Sequence, residues 1–195
     1  MRRALPLLVL VAGITTFGCS NVPSEPDRPA APASAEPAVA PLLWDVPGTW
    51  TRLDAPPNGP KKATYQVPAA GNDKEPAEVD VVFFGTGSQG DAEARFKDML
   101  GTIETDAGAP VRGSFEVKGM KVETIDLPGS FKQAVGAPKK GKRPSPVQMI
   151  KAGFRLYAAV VKTGSRGNWF FKMVGPDDTV QSARSAMKTM LESAR

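Results

Sequence analysis

Beyond residue 42 the apolar positions of the chain repeat with two periods, and the switches between them mark out the elements. Period-two runs at Trp50–Leu53, Ala63–Val67 and Glu78–Phe84 predict strands. In the last run Val79, Val81 and Phe83 alternate with Asp80, Val82 and Phe84. Both faces therefore become apolar toward its end, as in a central strand. From Ala92 the set Ala92, Phe96, Met99, Leu100 and Ile103 falls at helical spacing and predicts an amphipathic helix over residues 91–104, packed on the sheet. Ser114–Lys118 and Lys121–Leu127 read as a hairpin joined by Gly119-Met120, a glycine-first pair suited to a type II′ turn. A polar, basic loop follows, and Phe154–Val161 with Trp169–Val174 form a second hairpin around Gly164–Asn168. The final element is a helix over residues 178–193. Asp178 with Gln181 has the form of a capping box, and Val180, Ala183, Met187, Met190 and Leu191 define one apolar stripe. The predicted fold is α/β of the α+β kind: a mainly antiparallel sheet sandwiched between the early and the carboxy-terminal helix.

The first residues follow neither period. Met1, Arg2 and Arg3 precede an apolar run, Leu5–Phe17, of the length of a signal-peptide core and too short to span a bilayer at about 20 residues. Residues 1–18 are therefore expected to be a cleaved signal, and Thr16-Phe17-Gly18-Cys19-Ser20 resembles a bacterial lipobox. That resemblance implies acylation of Cys19, as by palmitate, and stable membrane anchoring through the chains it adds. Thr16 and Phe17 depart from the Leu and the small residue usual at those positions. By the sorting preference of enteric-type lipoproteins, Ser20 after the cysteine implies the outer membrane, with the domain facing the periplasm. Residues 19–42 carry Pro23, Pro26, Pro29, Pro32, Pro37 and Pro41 among small and polar residues, too little apolar surface to offset ordering entropy. They predict a disordered tether reaching roughly 60 Å if it is mostly polyproline II. Residues 43–195 are left as one domain.

Composition then removes chemistry. There is no histidine and a single cysteine, so Ser-His-Asp and Cys-His catalysis, Cys/His zinc sites and an internal disulfide are all excluded. No catalytic, cofactor-binding or metal-binding residue is assigned, and no cofactor is expected. The formal charge is +5, and loss of Arg2 and Arg3 with the leader leaves 23 basic against 20 acidic residues, which alone implies no polyanionic partner. The distribution is more informative than the total. Between Leu127 and Pro176 lie ten bases and no acid. Four of them, Lys139, Lys140, Lys142 and Arg143, cluster among prolines as either a solvated loop or a candidate contact for an anionic lipid or cell-wall surface. Nucleic acid is not an expected partner, because export separates the protein from it.

Gly85-Thr86-Gly87-Ser88-Gln89-Gly90 is a literal G-x-G-x-x-G between a strand and a helix. A Rossmann unit would need a parallel second strand carrying the ribose acid, whereas Glu104 and Asp106 stand at the helix end before any strand. A plain strand-to-helix turn is the expectation, with anion binding left open. Asp177-Asp178 lacks the ligand count of a calcium site and reads as helix capping.

Trp50-Thr51-Arg52, Ala63-Thr64-Tyr65-Gln66-Val67-Pro68, Phe83-Phe84-Gly85 and the run Asn168–Pro176 before the last helix resemble a family of uncharacterised bacterial exported proteins. Its layout is similar to the Mog1/PsbP-like α/β/α sandwiches. The resemblance implies a fold and an accessory or assembly role, with no established reaction. The resulting expectation is a membrane-anchored envelope lipoprotein that acts as a non-catalytic binding module toward an envelope protein or an anionic surface. A small-ligand carrier or a histidine-free, carboxylate-dependent hydrolase is the alternative, and oligomeric state is left open.

Overall fold

The computed structural model of the protein describes residues 41–54, 59–135 and 147–195. Cys19, the tether up to residue 40, and Lys139, Lys140, Lys142 and Arg143 lie outside the described residues. The architecture is an eight-stranded, wholly antiparallel sheet with one helix on each face, the α+β sandwich expected from the sequence. The elements in chain order are β1 (Thr51–Leu53), β2 (Lys61–Val67), β3 (Ala77–Phe83), α1 (Ala92–Leu100), β4 (Ile103–Glu104), β5 (Val111–Val117), β6 (Met120–Val135), β7 (Val147–Lys162), β8 (Asn168–Pro176) and α2 (Asp177–Glu192). Their spatial order is β1-β2-β3-β8-β7-β6, and the outer side of β6 is shared by β5 along its first half and by β4 farther on.

Side-chain alternation divides the core in two. On one face Val79, Val81, Val161, Phe171 and Met173 meet Val180, Met187, Met190 and Leu191 of α2. On the other, Ile125, Leu156, Val160 and Phe170 meet Phe96 and Met99 of α1. The chain entering β1 is bound to the α2 side. Leu43 and Arg195 exchange both backbone hydrogen bonds, at 2.9 and 3.0 Å. Trp44 meets Trp169 and Phe171 edge-on, and its Nε1 donates to the Tyr65 hydroxyl at 3.0 Å.

Several elements depart from their sequence pattern. The early helix ends at Leu100 and not near residue 104, because Gly101 closes it and Ile103 reaches the same core from strand β4. The hairpin turn lies one residue earlier than the glycine-first pair. Val117 pairs with Met120, and Lys118 (φ 48°) and Gly119 (φ 78°) both adopt the left-handed conformation of a type I′ turn. The two flanks of the stretch that reads as a polar loop after Leu127 are strand arms, because β6 and β7 stay paired out to Val135 and Val147, and residues 136–146 lie outside the described residues. Asp178 does not cap α2. The Thr179 amide donates to Asp73 Oδ2 at 2.7 Å from a distant loop, while Gln181 binds Asp177.

Candidate functional site

Helix α1 has nine residues and covers only part of its face of the sheet. The uncovered part carries charge. Asp80 on β3 stands directly across from Lys172 on β8, and Glu78 across from Val174. Beside them β6 and β7 turn out of line. A bulge separates Gly129 from Phe131 on β6, and Gly153 on β7 has φ 71°, a left-handed conformation suited to glycine. A Cβ on Gly129 would run into the backbone of Glu104, so its missing side chain is what lets β4 cross there.

These bends bring Phe131 and Phe154 together as a stacked pair, with centroids 6.0 Å apart and planes inclined by 11°. The two rings line a cleft of about 230 Å³ together with Lys172, Glu75, Glu78 and Asp80. Lys172 Nζ lies 5.6 Å from the Phe131 centroid and Lys151 Nζ lies 5.4 Å from that of Phe154. Lys151 is paired with Glu75 at 2.5 Å. Asp80 accepts from Lys61 at 2.7 Å and from the Thr64 hydroxyl at 2.8 Å. Burial holds the Lys172 ammonium below its ordinary 10.5, against the opposing pull of Asp80 and Glu78.

A wider depression of about 700 Å³ lies on the other side of the β4 crossing and includes Glu104, Asp106 and Asp177. It is larger but shallower, and two of its acids are engaged. Asp177 accepts from Arg155 Nε at 2.6 Å and from Gln181, and Glu104 lies 3.5 Å from Lys132. Among the described residues no three acids, histidines or cysteines converge as a metal site. The cleft at Lys172 is therefore the stronger candidate, having aromatic walls and a desolvated cation.

The Gly85–Gly90 loop is a strand-to-helix turn. Asp91 caps α1 by accepting from the Ala94 amide at 2.8 Å, so a carboxylate already occupies the helix amino terminus and would repel an incoming anion. Asn168 donates to the Gly90 carbonyl at 2.8 Å, and a Cβ on Gly167 would strike the Gly85 carbonyl, which ties the loop to the β7–β8 turn. Strand β3 has antiparallel neighbours on both sides, and β4 after α1 pairs antiparallel with β6, so no Rossmann half exists.

The acid-free stretch has a structural resolution that charge counting missed. The two acids immediately outside it, Asp126 and Asp177, both grip Arg155 at its centre, at 2.8 and 2.6 Å. Arg184 from α2 adds a contact of 3.0 Å to the other Asp126 oxygen. Lys132, Lys151 and Lys162 likewise have acidic partners in Glu104, Glu75 and Glu123. Four of the ten bases of this segment are thus paired with acids from elsewhere in the chain.

No known protein-family model matches the sequence, and no curated protein matches it. Among solved structures the chain is similar to the cyanobacterial PsbP (CyanoP) from Synechocystis sp. PCC 6803. Identity is 10%, the TM-score is 0.43, and the match covers 85% of this chain and 99% of that one.

Proposed function

We propose that the protein is a lipid-anchored binding module of the bacterial cell envelope that holds its ligand in the cleft at Lys172 without chemically changing it. The observation that carries the binding reading is the state of the cleft's charges. Asp80 and Glu75 are engaged by Lys61 and Lys151, an arrangement that orients and recognises, and Glu78 is the remaining carboxylate of the cleft. The pairing of two of the three carboxylates favours binding over the carboxylate-dependent hydrolase. A small-ligand carrier is the same module with a diffusible ligand, and the modest volume of the cleft favours a small polar group.

The envelope half of the proposal rests on the sequence: the leader, Cys19 with its lipobox-like flank, and the proline-rich tether. No helix among the described residues is long and apolar enough to cross a membrane, and in this reading a lipid on Cys19 supplies the anchor. Outer-membrane placement follows from Ser20 under the enteric sorting preference. The basic cluster Lys139, Lys140, Lys142 and Arg143 would add salt-sensitive attraction to an anionic envelope surface.

Mass spectrometry of the mature amino terminus should find an acylated Cys19, and Cys19→Ala should move the protein from the membrane to the soluble fraction. An unmodified cysteine or unchanged fractionation refutes anchoring. Neutralising the four clustered bases should weaken binding to anionic liposomes at low salt, and unchanged binding removes that contact. For the cleft, Phe131→Ala and Lys172→Met should each abolish capture of the envelope component retained by the wild-type chain.

A further inference from the structure

The two edges of the sheet differ. One is β1, three residues long and too short to template another strand. The other is β5, seven residues long, paired among the described residues with β6 alone and exposed at five positions. Because the Lys118–Gly119 turn closes on the Val117–Met120 pair, the odd-numbered residues of β5 direct their backbone groups toward β6. Arg112, Ser114 and Glu116 direct theirs outward, forming an open row of donors and acceptors.

The side chains of this edge are self-complementary. Pairing β5 antiparallel with a second copy about Ser114 places Arg112, whose guanidinium also binds Glu93 of its own chain at 3.0 and 3.2 Å, opposite Glu116 of the partner subunit, twice by symmetry. Both residues lie on the α1 face of the sheet. On the α2 face the same register sets Gly113 opposite Phe115 of the partner subunit, and Val111 opposite Val117 of the partner subunit. Val111 has the highest fractional exposure, 68%, among the exposed large apolar residues. A Cβ on Gly113 would crowd Thr124 Oγ1, so the position carries no side chain of its own on this face, and an aromatic ring from a neighbouring strand can cover such a glycine. Sliding the register by two residues would put Arg112 opposite Ser114 or Lys118 and lose the charge pairs.

We infer that the protein self-associates through β5 as a two-fold dimer, two copies joining edge to edge about Ser114 into one continuous sheet. Opposite charges across the strands fix both partner and register, as cross-strand pairs do within a sheet.

Two differently tagged copies of the full chain, expressed together and solubilised in mild detergent, test this. Wild-type copies should co-purify. Arg112→Glu paired with itself and Glu116→Arg paired with itself place like charges opposite one another and should weaken co-purification about tenfold. Arg112→Glu mixed with Glu116→Arg restores opposite charges in this register alone and should recover it. Ser114→Pro removes the outward amide at the dyad, which β6 does not use, and should leave the thermal melt intact while abolishing the dimer. Failure of wild-type copies to co-purify, a mixed pair no better than the like pairs, or a Ser114→Pro dimer would each overturn the inference.

Discussion

The two faces of the sheet are built from neighbouring residues of the same strands, yet they solve burial differently. Under α2, sixteen residues of helix seal an apolar layer in which Val79, Val81, Phe171, Met173 and Met187 have no exposed surface. A charged network lies at one end, where Asp126, Arg155, Asp177 and Arg184 tie the first half of α2 to the sheet. Under α1, nine residues of helix seal only the region around Phe96 and Phe170, and the rest of the face holds Asp80, Lys172 and the Phe131–Phe154 wall. Helix length thus separates the face that stabilises the fold from the face that is free to recognise a ligand.

Phe170 and Phe171 test this directly, since they are consecutive, equally buried and on opposite faces. Phe171→Ala should cost about 4 kcal/mol, because the long α2 cannot settle into the cavity. Phe170→Ala should cost about 3 kcal/mol, because the short α1 can move toward the sheet. Denaturant unfolding of both variants measures the difference, and equal losses, or a larger loss for Phe170→Ala, would break the proposed asymmetry. Asp126→Ala comes next, at about 3 kcal/mol, because it leaves Arg155 half-paired where the wild-type side chains are only 15% and 7% exposed. A loss below about 1 kcal/mol, the scale of surface pairs, would show that water reaches this network.

What the sequence disclosed follows the same division. The α2 face was legible because its determinants are periodic and local. The stripe Val180, Ala183, Met187, Met190 and Leu191 is buried throughout, and the alternation of Val79 and Val81 sets their side of β3. The α1 face was less legible. Ile103 extends the helical spacing of Phe96 and Met99 although it sits in a strand, so the pattern overran the helix by a turn. The arms of β6 and β7 beyond Leu127 mix Phe131, Met149 and Ile150 with glycine, lysine and glutamine and carry no clear period, so they resemble a loop in sequence. The cleft could not be read at all. Asp80 and Lys172 are adjacent only through the β3–β8 pairing, and Phe131 meets Phe154 only because a bulge and a left-handed glycine bend the hairpin. The capping of α2 by Asp73, 106 residues away from Thr179, escaped local reasoning for the same reason.

Lys172 gives the smallest effect and the sharpest sign. Its pKa lies below 10.5 because burial outweighs the attraction of Asp80 and Glu78. At pH values below the folded pKa both folded and unfolded chains carry the proton, and the full cost of burying the ammonium is present. As pH rises through the folded pKa toward 10.5, the native lysine releases its proton before the unfolded one does, and that cost is relieved. Lys172→Met keeps the bulk and removes the charge, while Asp80 retains Lys61 and Thr64. The variant should therefore be more stable than wild type by about 1 kcal/mol at neutral pH. The gap should narrow on the alkaline side, measured by denaturant midpoints across that range. A variant less stable than wild type would mean that the carboxylates more than compensate for burial. The charge would then belong to the stability of the fold, and the uncovered face would lose its distinction from the one beneath α2.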